Sequence, residues 1–239
     1  MSFTPWSHGP RNDGLWICQE DKDRIDRYNS KLRPEDEEYR MHYTIESGQP
    51  MIPGMWCGNP YEARLVLLML NPAVSEENER AYAIPELKER LENSAKGQWD
   101  PEYPNAWLHP LGRKAGPWCA TVVFGALHKH LVSNNYKPEE AWSRIANRCA
   151  VLELSPWASN KWSPNAIISS SSLSISLAKA AMADKKRLVL LARGEDQWHM
   201  AGLIDADTLP KSKGVRSNQS RITPANFPDV WPDIIAKIE

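Results

Sequence analysis

Asn71 and Pro72 close the run R-L-V-L-L-M-L at residues 64–70, and A-V-S-E-E follows. An amide carries donors and an acceptor, so it orients a water or reads the edge of a ligand, but it exchanges no proton at neutral pH. Pro72 fixes its own φ and keeps Asn71 out of the α region, which holds that amide at a defined angle. Other groups capable of chemistry stand where further apolar runs end. These are Glu153 and Ser155-Pro156-Trp157 in and after C-A-V-L-E-L, Arg193-Gly194 after R-L-V-L-L-A, and S-N-Q-S-R at residues 217–221. A carboxylate inside so apolar a run is strongly destabilising unless it is paired or used. Glu153 is therefore either the ion partner of Arg148 or Arg193, or a group with a chemical task.

Seven residues rich in Leu and Val without period-two alternation suit a strand buried on both faces, as in a parallel sheet. In open α/β sheets ligands bind at the carboxyl ends of such strands, where Asn71 stands. Before this run, residues 1–60 read as irregular, with a charged segment at 20–40 and a Gly/Pro-rich approach at 47–60. After it, Ser75 and Pro85 open helices, residues 97–116 form a loop dense in Trp, Pro and His, and Pro117 opens a long amphipathic helix. A short helix at 138–147 leads into the second strand, and a helix through S-I-S-L-A-K-A-A-M-A leads into the third. A helix at 195–203, a weaker fourth strand around Thr208, a basic loop at 211–221 and a last helix at 228–239 complete the chain. Repeated β-α units of this kind predict an α/β fold, a three-layer α/β/α sandwich around a central, mainly parallel four-stranded sheet. The expected organisation is one domain over 1–239, with 1–60 an N-terminal extension or lid and 61–239 the core.

Composition narrows the function. With 239 residues, 41% hydrophobic and 25% charged, the chain is an ordinary globular protein, and its formal net charge of −1 requires any anionic partner to be met by a local patch. Cys18, Cys57, Cys119 and Cys149 are scattered with no C-x-x-C spacing, which argues for reduced thiols rather than a zinc or iron–sulfur site. No metal or redox cofactor is expected. The phosphate-binding loops G-x-G-x-x-G and G-x-x-x-x-G-K-[ST] are missing, as is the G-x-S-x-G elbow of α/β hydrolases. The N-terminus has no basic and apolar leader pattern, and no apolar run approaches a membrane span of about 20 residues, so a cytoplasmic protein with no membrane partner is expected.

A buried strand ending in L-N-P, with a late loop of small polar residues and a helix behind it, resembles the uracil-DNA glycosylase superfamily, in particular its mismatch-specific branch. The resemblance implies a four-stranded parallel sheet between helices. The first motif of that superfamily, roughly G-x-[DN]-P, positions the hydrolytic water through its Asp or Asn, and Asn71 and Pro72 fall on it. Ala73 and Val74 follow where relatives carry Gly or aromatic residues, so the pocket floor differs. The second motif, H-P-S or N-P-S, pinches the DNA backbone and carries the residue inserted into the duplex; S-N-Q-S-R lies in that place without the His or the Pro. The chain is also similar to bacterial glycosylase-like proteins with E-x-x-P-[YW]-x-S after the second strand, matched by Glu153, Pro156, Trp157 and Ser159.

The activity implied is that of a monofunctional DNA glycosylase. Hydrolysis of an N-glycosidic bond passes through an oxocarbenium-like sugar and needs a placed water, stabilisation of the cation and stabilisation of the departing base. Asn71 would place the water, and Glu153, sharing a strand face with Ser155 by alternation, would be the carboxylate facing the cation. The base must be flipped out and stacked on an aromatic ring, with Trp157 first in line and Trp56 and Trp107 on the long loops behind it. Pro72, Ala73, Ser155 and Arg193 would complete the pocket. Lys213, Arg216, Ser217, Asn218, Gln219, Ser220 and Arg221, with Lys211, would meet phosphates. His109, His128 and His130 receive no role, and no lysine adjoins Asn71 to form a Schiff base. The expected partner is DNA, bound by a monomer. The departures in both motifs and the large loop at 97–116 favour an atypical base, a bulky modified cytosine such as glucosylated hydroxymethylcytosine of phage DNA, over plain uracil. The alternatives are a uracil or mismatch repair glycosylase, and a non-catalytic nucleotide or modified-DNA binder of the same fold.

Overall fold

The computed structural model describes residues 4–11, 14–45, 51–161 and 170–239, with the backbone alone for Tyr39, His42, Arg216 and Ser217. Chain order is α1 (Gln19–Asn29), α2 (Glu37–Tyr43), β1 (Trp56–Cys57), β2 (Leu65–Met69), α3 (Glu76–Tyr82), α4 (Pro85–Ala95), α5 (Pro110–Ala115), α6 (Gly125–Ser133) and α7 (Pro138–Arg148). Then follow β3 (Cys149–Glu153), α8 (Ser171–Ala183), β4 (Leu188–Leu191), α9 (Glu195–Met200) and α10 (Trp231–Ile238). Among the described residues no helix is long and apolar enough to cross a membrane.

The four strands form one sheet in the order β1-β3-β2-β4. Strand β2 sits between β3 and β4 and runs parallel to both, with Leu65 opposite Cys149 and Leu188, and Met69 opposite Glu153. All five of its residues are buried, as its unbroken apolar pattern predicts. Its side chains divide between two cores. Leu65, Leu67 and Met69 pack with residues of α6, α7 and α10, while Val66 and Leu68 pack with residues of α1, α8 and α9. The sheet is thus covered on both faces.

The sheet departs from the mainly parallel expectation, because it is mixed. Its fourth strand is β1, antiparallel to β3 through Trp56 opposite Leu152, and not the segment around Thr208. Residues Ile204–Thr208, I-D-A-D-T, form a 3-10 helix instead; two aspartates in five residues disfavour a strand. Beyond β4 an isolated bridge joins Leu191 to Lys211, with Leu191 N donating to Pro210 O and Ser212 N to Leu191 O. The basic loop is thereby tied to the carboxyl end of β4.

Two further segments depart from the expected elements. The helix opened by Pro117 is broken: Cys119–Val123 is π-helical and α6 restarts at Gly125, while the carbonyl of Val123 accepts from Ile222 N at 3.1 Å. The charged part of residues 1–60 is not irregular but forms α1 and α2, and Trp6, Trp16, Ile17, Ile25 and Met55 enter the core on the α8 side. Asp21 of α1 anchors this packing. It is fully buried and accepts from Trp157 Nε1 at 3.2 Å and from Ser170 N at 3.0 Å.

Loss of that carboxylate strands two buried donors. Asp21→Ala should therefore lower unfolding free energy by about 2–4 kcal/mol in a urea titration. A loss within about 0.5 kcal/mol would show that Asp21 does not hold the N-terminal segment to the core.

Candidate active site

The carboxyl ends of β2, β3 and β4 open on one cavity of about 350 Å³. From β2 come Met69, Asn71, Pro72 and Ala73, from β3 Glu153, and from the end of β4 Arg193. The segment before and through β1 supplies Ile52, Gly54, Trp56 and Cys57 as one wall, while Trp107, Trp118 and Cys119 supply another. Gly54 is required where it stands, since a Cβ there would lie 2.8 Å from Pro72 Cγ. Gly194 follows Arg193 at φ +77, and its missing side chain is what allows Leu70 to pack against the start of α9.

Asn71 is held by Ser159. Its Nδ2 donates to Ser159 O and Ser159 Oγ, each at 3.0 Å, and to Pro72 O at 2.9 Å. Ser159 Oγ in turn donates to Lys161 O at 3.0 Å. A backbone carbonyl only accepts, so the hydroxyl proton is committed to Lys161 and the hydroxyl must accept from Asn71. That logic fixes which way the amide faces and leaves Oδ1 as an acceptor, to which no described residue donates. This matches what a water-orienting amide needs.

Glu153 is the last residue of β3 and 6% exposed. Its backbone N donates to Met55 O at 2.7 Å, and among the described residues Oε2 has no hydrogen-bond partner. Burial pushes its carboxyl up to about 8, against the pull of the Arg193 guanidinium. The group facing it is therefore Arg193 and not Arg148, which lies at the amino end of β3. Cys57 adjoins it, and that thiol is pushed far up by the hydrogen bond with Cys119 first and by burial second. At neutral pH the raised carboxyl favours its neutral form, beside the Cys57 thiol and the Arg193 guanidinium. It is not the anion expected to face a sugar cation.

Of the other sequence candidates, Trp56 and Trp107 line the cavity, and Trp56 Nε1 donates to Ser94 O at 3.0 Å. Trp157 does not reach it: the ring is 1% exposed and its Nε1 is committed to Asp21. Ser155 does not reach it either. Past Glu153 two consecutive amides, Leu154 N and Ser155 N, both turn to the end of β2, which breaks the alternation, and buried Ser155 turns its Oγ to accept from Trp157 N at 3.3 Å. The basic loop is also less available than its sequence implies. Lys211 pairs with Glu195 at 2.6 Å and Lys213 with Asp229 at 2.8 Å, while Ser220 is fully buried and cannot touch a phosphate. Asn218 and Arg221 remain on the surface, Arg221 Nε donating to Asn218 Oδ1, and Gln219 is half-buried. The side chains of Arg216 and Ser217 lie outside the described residues.

Sequence reasoning missed Glu77, Trp118, Cys57 and Cys119 as cavity residues. Glu77 reads as an ordinary first-turn acid of α3, and its distance of six residues from Asn71 is the only signal. Trp118 is 39% exposed at the cavity, an apolar ring left where a ligand can cover it. His109 caps α5 by accepting from Leu111 N, and His128 stacks on Trp142 at 4.0 Å; neither lines the cavity. Among the described residues no group of three or more His, Cys, Asp or Glu is placed to hold a metal ion. No family model, curated protein or solved structure matches the chain.

The raised Glu153 carboxyl links folding to pH. Below its ordinary value of 4.5 both states are protonated, but between there and about 8 the unfolded chain releases a proton that the folded chain keeps. Stability therefore falls with rising pH through that window and levels off above it. Glu153→Gln should gain on wild type by on the order of a few kcal/mol between about pH 4 and about pH 9, read by thermal melts. A pH-independent difference between the two proteins would show that the carboxyl ionises normally.

Proposed function

We propose that the protein is a monofunctional DNA glycosylase of the uracil-DNA glycosylase type, hydrolysing the N-glycosidic bond of a flipped-out base and leaving an abasic site. One observation carries this reading. Asn71, whose acceptor oxygen receives no hydrogen bond from any described residue, stands beside Glu153 and Arg193 on three adjacent parallel strand ends, at a cavity walled by Trp56, Trp107 and Trp118. An amide that orients water but takes no proton suits a dissociative reaction, in which the sugar cation forms before water attacks. Aromatic walls suit a planar heterocycle taken out of the stack.

The cavity, at about 350 Å³, lies at the lower end of the range for drug-sized ligands, which leaves room for a base with a substituent. That favours a bulky modified cytosine, such as glucosylated hydroxymethylcytosine of phage DNA, over plain uracil. The DNA backbone is assigned to the loop tied to β4. Lys211 and Lys213 are 43% and 57% exposed in their ion pairs, and surface pairs of that kind are worth only about 0–1 kcal/mol, so phosphates can replace the acids. Val215, 69% exposed in the same loop, is an apolar side chain with no cover of its own. The proposed working state is a monomer.

Duplexes carrying uracil, hypoxanthine, a thymine mismatch or a phage-modified cytosine, scored for alkali-sensitive abasic sites, test the reading. Cleavage of at least one is expected, with Asn71→Ala slower by about 10²–10³ at unchanged duplex affinity. Wild-type silence on every duplex would sink the enzyme reading. Binding without cleavage, unaffected by Asn71→Ala, would mark a binding protein instead.

A further inference from the structure

Placing a water accounts for only half of a glycosidic cleavage; the departing base also needs a group that eases it away. Asn71 has committed its two amide protons to Ser159 and Pro72, and an amide does not transfer protons. Glu153 is one strand over, its backbone in register with Met69, two residues before Asn71. It is nine-tenths buried, it lines the cavity, and its Oε2 has no described partner. We propose that Glu153 is the general acid of the reaction, giving its proton to a ring nitrogen of the departing base, and that the base it selects has an amidine edge, a ring nitrogen acceptor beside an exocyclic amine. The proposal rests on the glycosylase reading.

The balance of the step is as follows. The Glu153 O–H bond breaks and an N–H bond forms on the ring nitrogen. The glycosidic C–N bond then breaks with its electron pair passing to the now cationic base, which leaves neutral. The sugar cation takes the oxygen of the water at Asn71, and the proton that this water sheds returns the count to zero by way of solvent.

Edge chemistry separates the two classes of base. A neutral carboxyl offers one donor and one acceptor, so in the ground state it pairs with an amidine edge or with the amide edge of uracil or hypoxanthine equally well. The difference arises as charge moves. Once the ring nitrogen is protonated, both oxygens of the new carboxylate accept from the base, in a charge-assisted pair absent from the ground state. An amide edge has its ring nitrogen already occupied by hydrogen and offers only a weakly basic carbonyl.

The surroundings keep the proton available. Cys57 of β1 adjoins the carboxyl and is hydrogen-bonded to Cys119 of the π-helical segment, Arg193 faces it from just past β4, and Glu77 of α3 lines the same cavity. Burial holds the carboxyl protonated up to about pH 8, and Arg193 stabilises the carboxylate left behind.

Single-turnover cleavage of duplexes with amino-substituted bases, modified cytosines included, and with oxo-substituted bases, uracil and hypoxanthine, tests this. The wild-type rate on the amino class should fall as pH rises through about 8. Glu153→Gln keeps the shape and hydrogen-bonding capacity but not the proton, and should lose about 10²–10⁴ in rate together with the pH dependence. Its affinity for a duplex carrying a 2′-fluoro analogue, which resists cleavage, should stay within about threefold and so report a folded pocket. Cleavage confined to the oxo class, or a Glu153→Gln rate and pH profile equal to wild type, overturns the proposal while leaving a glycosylase. Loss of analogue binding in the variant overturns it in favour of a purely structural Glu153. Wild-type silence on every duplex overturns the glycosylase reading, and the proposal with it.

Discussion

The parallel ladder between β2 and β3 is the constraint on which the site depends. Its register sets Met69 opposite Glu153, and the pairing runs on past both strands, with Leu154 N donating to Met69 O and Ser155 N to Leu70 O. The two chains therefore separate only after Asn71 has been carried to the sheet's edge. Ser159 can then reach back to hold the Asn71 amide. A one-residue slip would turn Glu153 into the opposite core and put Leu152 or Leu154 at the cavity. The apolar residues of both strands oppose such a slip, because each face of the sheet is sealed by its own cluster.

Against that rigid frame, Glu153 is a local conflict that the rest of the fold sustains. A buried carboxyl whose Oε2 has no partner among the described residues lowers stability, and the cost grows as pH rises. Stability is supplied elsewhere. The tryptophan cluster of Trp6, Trp56 and Trp157 packs edge-on at 6.1 and 6.2 Å, and Asp21 ties it to α1 and to the start of α8. Polar groups held out of balance in a well-packed surround are what ligand sites need and what plain cores avoid.

How far the sequence spoke depended on the range of the signal. Runs such as L-V-L-L-M and C-A-V-L-E carry their burial in their own composition, so β2, β3, β4 and most helices were legible. Asn71, Glu153 and Arg193 were legible as strand ends for the same reason. What escaped was decided at long range. Strand β1 is only two residues long and is defined by its pairing with β3, and the place beside the end of β4 is taken by Lys211 and not by the segment around Thr208. Trp157 reads as a pocket aromatic from its position after the strand, but an aspartate 136 residues earlier claims its indole. The same holds for Lys211 and Lys213, whose acidic partners come from α9 and from the approach to α10.

Charge near the cavity is arranged by side, and on the glycosylase reading that order gives the nucleic acid a direction of approach. Helix α3 opens with Glu76, Glu77 and Glu79, and Glu77 reaches the cavity itself. Across the sheet edge lie Arg193 and the loop of Lys211, Lys213 and Arg221, bound to the end of β4, its two lysines held in exposed ion pairs with Glu195 and Asp229. On that reading a phosphate backbone would be repelled by the first side and drawn to the second, which would run the strand along the β4 edge and turn the base inward toward Glu153 and Asn71. Such a dipolar mouth would reconcile a formal net charge of −1 with the proposed anionic substrate, because the field that matters acts over roughly a Debye length of about 10 Å and not over the whole molecule.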